Sequence, residues 1–395
     1  MDRVLVTDGE QRAALAVVRS LGRAGHHVHV GAGRARSLAG ASRFARGRTV
    51  LPDPLRDPES FGRATGELIR SRAIDVVVPI TDASVFALAE RRDQLAALLP
   101  VPAYADLRAV ADKERITREA RCHGIAVPRQ AVAASASEAR AAAGRLVSFP
   151  LVLKPSRSVI GNGSSRSKVS VLLVDEPDRL DQSLALLPEA AYPVLIQERI
   201  LGPGIGVFLL LWKGSLQAAF MHRRLREKPP SGGISVYRES IPLDQDLVDR
   251  SRALLEGFEW SGVAMVEYKL DARSGTPHIM EINGRFWGSL QLAIDCGVDF
   301  PRLLVDLARG RNPGAPVTRY RVGLRSRWRW GEVDHLLARL RHSRKELGLP
   351  PDAPGLGRAL VDALTPWRPG DRDEILQWSD PNPFLRETVD WFRRG

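Results

Sequence analysis

The sequence predicts an α/β protein: a Rossmann-like layer at the N-terminus, an α+β body in the middle and a helical extension at the C-terminus. Three observations carry this. Short β-branched runs alternate with helix-period segments over about the first hundred residues. From Asp112 the apolar runs are strand-length and are separated by polar, glycine-bearing turns. After Gly310 the apolar positions return to helical spacing between Pro/Gly linkers.

RVLVTD reads as a strand, residues 10–24 as a helix ending at Gly25, and HVHVGA as a second strand, which together make a right-handed βαβ start. Glu59 to Arg72 reads as a helix, IDVVVPI as a buried parallel strand and Ala83 to Leu99 as another helix. The first strand is followed by TDGEQRAA and not by G-x-G-x-x-G, which argues against a dinucleotide dehydrogenase. DKERITREARCHGI is an amphipathic helix ending in Gly124, and VPRQAV is a strand. FPLVLKPS is a buried strand ending in Lys154, SRSVIGNGSSRSK a polar loop suited to covering phosphates, and VSVLLV the returning strand. YPVLIQERI runs into the connector LGPGIG before the apolar strand VFLLLW. RWRWGEVDHLLARLRHSRKELG and ILQWSDPNPFLRETVDWFRR close the chain as helices, with Trp328, Trp330, Trp367, Trp378 and Trp391 packing them onto the body or a partner.

Composition narrows the function classes. At 395 residues with 44% hydrophobic content and no apolar tract near transmembrane length, the chain reads as a soluble protein of two or three domains. MDRVLVTDGE has no secretory pattern, so a cytoplasmic location is the default expectation. Cys122 and Cys296 lack metal or redox spacing. The net charge of +12 comes from arginines scattered along the chain, which favours a solvated surface over a nucleic-acid face. Self-association is left open.

VAMVEYKLDARSGTPHIMEINGRFWGS, residues 263–289, is the most informative stretch. Alternation on both sides of ARSGT predicts a hairpin with Glu267 and Glu281 on neighbouring strands. Adjacent buried acids repel, and a hard dication between them removes that cost, with Asn283 as a third oxygen ligand. Arg285, two residues on, adds a fork of donors for a phosphate or carboxylate. The competing reading is a pair of half-exposed strands with solvated acids.

Taken in order, these features resemble the ATP-grasp superfamily over residues 106–312: Asp112-Lys113 at a helix start, Lys154-Pro155 at a strand end, the polar loop, IQERI before its connector, and the E…E-x-N-x-R cassette. EINGRFWGSLQLA and HRRLREKPPSGGISVYRES resemble its carbamoyl-phosphate-synthase-like, predicted carboligase branch. The resemblance implies a pre-ATP-grasp domain (1–105), an ATP-grasp domain (106–312) divided into a lid subdomain (106–195) and a metal-binding subdomain (196–312), and the extension (313–395). It places Lys113 and Lys154 on the phosphates of ATP, Lys154 also near the adenine, and Ser164 and Ser165 in the covering loop. Gln197, Glu198 and Ile200 fall at the hinge, with backbone groups of Gln197 and Ile200 facing the adenine edge. Glu267, Glu281 and Asn283 would hold one or two Mg2+ ions, or Mn2+, and Arg285 would stabilise the transferred phosphoryl group. Gly204 stands where several members carry an acid for the ribose hydroxyls.

The segment 221–240 is the candidate specificity region, where His222, Arg223, Arg224, Arg226 and Lys228 precede a Pro/Gly loop. Arg226 and Arg238, flanking that loop, are the preferred substrate contacts, against a solvated hairpin as the plainer reading. The implied activity is ATP-dependent ligation of a small carboxylate to an amine through an acyl phosphate. Bicarbonate activation to carboxyphosphate and a non-catalytic ATP-binding module remain as alternatives.

Overall fold

The computed structural model describes residues 1–146, 149–155, 159–160, 167–168, 171–349, 353–365 and 370–393. The N-terminal layer contains β1 (Arg3–Val6), α1 (Arg12–Arg23), β2 (His27–Ala32), β3 (Ala45–Val50), α2 (Pro58–Arg72), β4 (Val76–Val78) and α3 (Asp82–Ala89). Its sheet has the order β3-β2-β1-β4 with every pair parallel. Val4, Leu5, Val6 and Val76 to Val78 are buried, as in a sheet covered by helices on both faces. β3 was not foreseen, because ARGRTV is an edge strand whose alternate residues are exposed. α3 stops ten residues before the expected end at Leu99. There Arg92 turns back to the carbonyls of Leu99, Val101 and Pro102, and Leu98 bridges to Val76.

α4 (Tyr104–Ala111) and α5 (Lys113–Cys122) lead into a smaller sheet. It is built from β5 (Gln130–Ala133), α6 (Ala136–Arg145), β6 (Leu151–Pro155), the two-residue strands β7 (Val159–Ile160) and β8 (Ser167–Lys168), β9 (Leu172–Val174), α7 (Leu180–Ala185) and β10 (Val194–Glu198). Among the described residues β7 and β8 pair with each other, and the other strands form an antiparallel β5-β10-β6-β9 sheet. β10 lies wholly within this sheet, so the change of sheet comes after Glu198 and not at 195/196.

The large sheet follows, with β11 (Gly204–Trp212), β12 (Ser215–Lys228), β13 (Ile234–Ser240), α8 (Gln245–Glu256), β14 (Gly262–Leu270), β15 (Pro277–Asn283), α9 (Leu290–Cys296) and α10 (Phe300–Ala308). The C-terminal extension adds β16 (Arg325–Arg327), α11 (Arg329–Arg341), α12 (Leu356–Leu364), β17 (Asp371–Asp373) and α13 (Asn382–Phe392). The strand order is β15-β14-β11-β12-β13-β16-β17, so the mainly helical extension also supplies two strands to one edge of the sheet. β11 separates two cores. Phe208 and Leu210 face the cluster shared with α1, α9 and α10, and Val207, Leu209 and Leu211 face the one shared with α8. Trp330 stacks on Trp391 at 4.3 Å within the extension, and Trp328 lies under the Arg12 guanidinium at 3.9 Å, which docks the extension on the body. Trp378 is 83% exposed and takes no part in that docking, and Trp367 lies outside the described residues. Among the described residues no helix is long and apolar enough to cross a membrane.

Candidate functional site

β14 and β15 pair antiparallel with Glu267 directly opposite Glu281 and Met265 opposite Asn283, so Glu267, Glu281 and Asn283 share one face of the large sheet. A bulge after Glu267, with Met280 as the extra residue, ends the regular register there. Two carboxylates in register repel, and the neighbours answer with positive charge. Arg224 donates from Nη2 to Glu267 Oε2 at 2.5 Å and from Nη1 to Glu227 Oε1 at 2.8 Å. Asn283 Nδ2 donates to Glu281 Oε1 at 3.0 Å, and Arg285 Nη2 donates to Asn283 Oδ1 at 3.0 Å.

The two acids end up different. Burial raises the Glu267 pKa, and the charge of Glu281 keeps it high in spite of Arg224. Burial pushes Glu281 the same way, but Lys113, the Asn283 hydrogen bond, Lys154 and Arg285 outweigh it and hold its carboxyl below the usual range. Lys113 owes its place to Asp112, whose carboxylate accepts from the N–H groups of Glu114 (3.0 Å) and Arg115 (3.1 Å) and so starts α5 with the lysine in its first turn. Lys154 projects from β6 and donates to Gln197 Oε1 at 2.7 Å, while Gln197 Nε2 donates to Gln130 Oε1 at 2.8 Å. Burial pulls the Lys154 ammonium down to about 8, against the opposing charges of Glu281 and Glu267.

The hinge residues divide. Gln197 sits in an interior strand with β5 on one side and β6 on the other, so its backbone groups are engaged in the sheet and its side chain is what reaches Lys154. The Glu198 N–H donates to the Arg129 carbonyl at 2.8 Å and the Arg199 N–H to the Pro150 carbonyl at 3.1 Å. The N–H and C=O of Ile200 have no hydrogen-bond partner among the described residues, which is the pattern an adenine edge requires. Ser164 and Ser165 lie outside the described residues.

Arg285 is held from the N-terminal layer. Its Nε donates to Asp82 Oδ1 at 2.9 Å and its Nη1 to the Phe286 carbonyl at 3.0 Å. Asp82 opens α3, and the turn before it is fixed by Asp8, which accepts from the N–H groups of Ile80 (3.1 Å) and Thr81 (3.2 Å) and from the hydroxyls of Thr81 (2.9 Å) and Ser84 (2.6 Å). Asp8 follows β1 and Asp82 follows β4, neighbouring strands at the point where the order of the parallel sheet reverses. A small cleft lined by Val78, Pro79, Pro102, Gly284 and Phe286 opens beside Arg285.

Both expected substrate contacts pair with acids of the C-terminal extension. A bulge between Arg224 and Arg226 breaks the alternation of β12, so Arg224 stands opposite Arg238 and Arg226 opposite Tyr237, on the other face. Arg226 lies over the Tyr237 ring at 4.4 Å and donates from Nη2 to Glu332 Oε1 at 2.5 Å. Arg238 is on the site face but fully buried, paired with Glu374 and Ser326 Oγ. Arg224, one cation among several in the sequence, is the one that meets Glu267. Its signal was Gly204: a Cβ there would lie 2.8 Å from Arg224 Cδ, so this position is cleared for the arginine. Asp82 and Asp8 were also missed, since nothing in a linear pattern joins them to Arg285.

Among the described residues no three His, Cys, Asp or Glu side chains converge on one point. The candidate donors are two carboxylates and one amide, a set that suits magnesium, which takes its other ligands from phosphates and water.

These features define a class: the chain has the ATP-grasp fold. Residues 191–329 match the family model described as ATP-grasp in the biosynthetic pathway with Ter operon. Among solved structures, an L-amino acid ligase from Bacillus licheniformis is 16% identical with a TM-score of 0.60, covering 78% of this chain and 74% of its own. N5-carboxyaminoimidazole synthetase from Staphylococcus aureus is 12% identical with a TM-score of 0.62, covering 82% and 80%. The biotin carboxylase domain of Hydrogenobacter thermophilus 2-oxoglutarate carboxylase, in complex with MgADP, ADP and bicarbonate, is 15% identical with a TM-score of 0.63, covering 82% and 73%. No curated protein sequence matches the chain.

Proposed function

We propose that this protein is an ATP-dependent ligase that activates a carboxylate as an acyl phosphate and passes the acyl group to an amine. The observation that carries the reading is the in-register Glu267–Glu281 pair, with Asn283 beside it and Arg285, Lys113 and Lys154 converging on Glu281. Glu267, Glu281 and Asn283 are the residues that would hold magnesium. Magnesium-ATP, when bound, supplies the phosphoryl group and neutralises its charge.

The chain's own groups do the positioning. Lys113 and Lys154 present fixed ammonium groups to phosphate oxygens, and Ile200 presents a free backbone pair to the adenine. Arg285, clamped by Asp82 and Asn283, keeps its guanidinium where charge develops on the phosphoryl oxygens and the acyl carbonyl. The substrate carboxylate oxygen attacks the terminal phosphorus as the bond to ADP breaks. The amine nitrogen then attacks the acyl carbon, the C–O bond to phosphate breaks, and nitrogen gives up a proton. The L-amino acid ligase among the structural neighbours has a name in keeping with this chemistry. ADP release is measured for wild type and Glu281→Ala across pools of amino acids, small carboxylates, sugar acids and bicarbonate, with hydroxylamine as a trap. Stimulation by one pool, a hydroxamate product and loss of both in the variant are expected. Stimulation by bicarbonate alone would shift the assignment to carboxyphosphate formation, and nucleotide binding without turnover in every pool would end the ligase reading.

A further inference from the structure

The sheet face that carries the carboxylate pair does not stop there. Glu267 is opposite Gly206, Gly206 opposite His222 and His222 opposite Ser240, while one rung along Arg224 is opposite Arg238. Glu281, Glu267, His222, Arg224 and Arg238 therefore lie on one face. Gly206 keeps the stretch between the acids and His222 low, since a Cβ there would lie 2.5 Å from the Phe208 ring and 3.0 Å from His222 Cδ2.

The far end of this face is roofed by the N-terminal layer and the C-terminal extension. Glu374 accepts from Arg12 Nη1 at 2.5 Å and from Arg238 Nη2. Arg12 stacks on Trp328, whose indole N–H donates to Glu387 Oε1 at 2.6 Å. Next to Arg12, the Gly288 backbone leaves room for only the guanidinium, 2.9 Å from where a Cβ would stand. Trp287, the residue before it, packs on Phe208 at 4.4 Å, and Phe208 packs on His222 at 4.7 Å.

An ionic cluster built only to hold the fold would satisfy its own members. This one leaves Glu374 Oε1, Glu387 Oε2, Arg238 Nε, Trp287 Nε1 and both ring nitrogens of His222 buried without a hydrogen-bond partner among the described residues. His222, Arg238, Trp287 and Glu374 are each at most 3% exposed. Burial, with Arg224 and Arg238 nearby, also keeps His222 neutral, so its ring offers one donor and one acceptor. The orphans are of both kinds: carboxylate oxygens that lack a donor, and N–H groups that lack an acceptor.

We infer that this orphaned polar cluster, closed by Glu374 and Glu387 of the C-terminal extension, is the acceptor subsite, and that it takes a substrate bearing both an ammonium and a carboxylate, the α-amino acid class. The ammonium pairs with the free oxygens of Glu374 and Glu387, and the carboxylate with the Trp287 N–H, Arg238 Nε–H and the His222 ring N–H. This rests on the ligase reading for the fate of the amine, but not for the binding.

Binding is therefore measured first, without nucleotide, as the thermal shift caused by an equimolar pool of proteinogenic amino acids, with methylamine and acetate as single-charge controls. A shift from the pool and none from either control is expected. Trp287→Phe and His222→Leu, which break no hydrogen bond among the described residues and keep an apolar group against Phe208, should weaken that binding by about tenfold each, the scale of one lost hydrogen bond to a charged ligand, with an unchanged far-UV spectrum. No shift from the pool, or equal shifts in wild type and both variants, overturns the subsite. In turnover, the variants should yield less amide relative to trapped hydroxamate than wild type does. Failure of wild type to form any hydroxamate would count against the ligase reading alone, since the binding result stands apart from it.

Discussion

Two hairpins of the same sheet carry the charges of this site, and they were not equally readable. In β14–β15 the alternation runs unbroken from Met265 to Glu267 and from Glu281 to Asn283, so spacing alone predicted which residues share a face. In β12–β13 a bulge between Arg224 and Arg226 shifts the register by one residue, and a one-residue shift exchanges faces. Arg226 was expected at the substrate and lies on the opposite face, while Arg224, two positions earlier, reaches Glu267. Alternation is a local rule, and it fails where the backbone departs from the period that the rule assumes.

The first hairpin makes the largest prediction. Glu281→Ala should lower magnesium-dependent ADP release by about a thousandfold, the scale of removing a main electrostatic stabiliser of a transition state, with an unchanged far-UV spectrum. A variant retaining most of its turnover would mean that the in-register pair is structural and that the two hairpins do not differ in role.

The next prediction concerns the second hairpin. Arg238 is fully buried and shares Glu374 with Arg12. Arg238→Met should cost about 3–5 kcal/mol in urea unfolding, because breaking a buried pair from one side leaves a charge less well compensated. A loss under about 1 kcal/mol would show that the C-terminal segment can relax around the change.

Lys154 sharpens the contrast through pH. Its native pKa is depressed to about 8 from 10.5 by burial, so between those values the unfolded chain holds a proton that the native chain has released. The unfolded state then binds more protons, and stability rises with pH across that window by at most roughly 3 kcal/mol, being lowest below about 8. Lys154→Met should be more stable than wild type at neutral pH and should lack the rise. Parallel pH profiles for the two proteins would place the ammonium in water and remove it from the group acting on Glu281.

Much of the fold was legible for the reason that the first hairpin was. The β1, β2 and β4 strands, the helices between them and the strand ending in Lys154 each declare themselves within a dozen residues. The parts that were not legible depend on distant partners. Arg285 is aimed by Asp82, which lies 203 positions away, and Asp82 is set by Asp8 in another turn. β16 and β17 are three residues each, too short to show a period, and exist because the edge of β13 accepts β16 and β16 in turn accepts β17. The acid that neutralises Arg238 sits 136 positions further on. Strand pattern predicts which face a side chain takes, and long-range pairing decides what it meets there.

Arg226 gives the smallest effect and the cleanest break of the comparison. Its side chain is 18% exposed and its partner Glu332 8%, so the pair keeps some contact with water, and the Tyr237 ring adds a cation–π contact. Arg226→Ala should therefore lower stability by about 1–2 kcal/mol and leave the KM values for nucleotide, carboxylate and amine within about twofold of wild type. A large rise in the KM of the carboxylate alone would return Arg226 to the substrate. It would also require the bulge in β12 to open during turnover, carrying the side chain back to the face where uninterrupted alternation would have placed it.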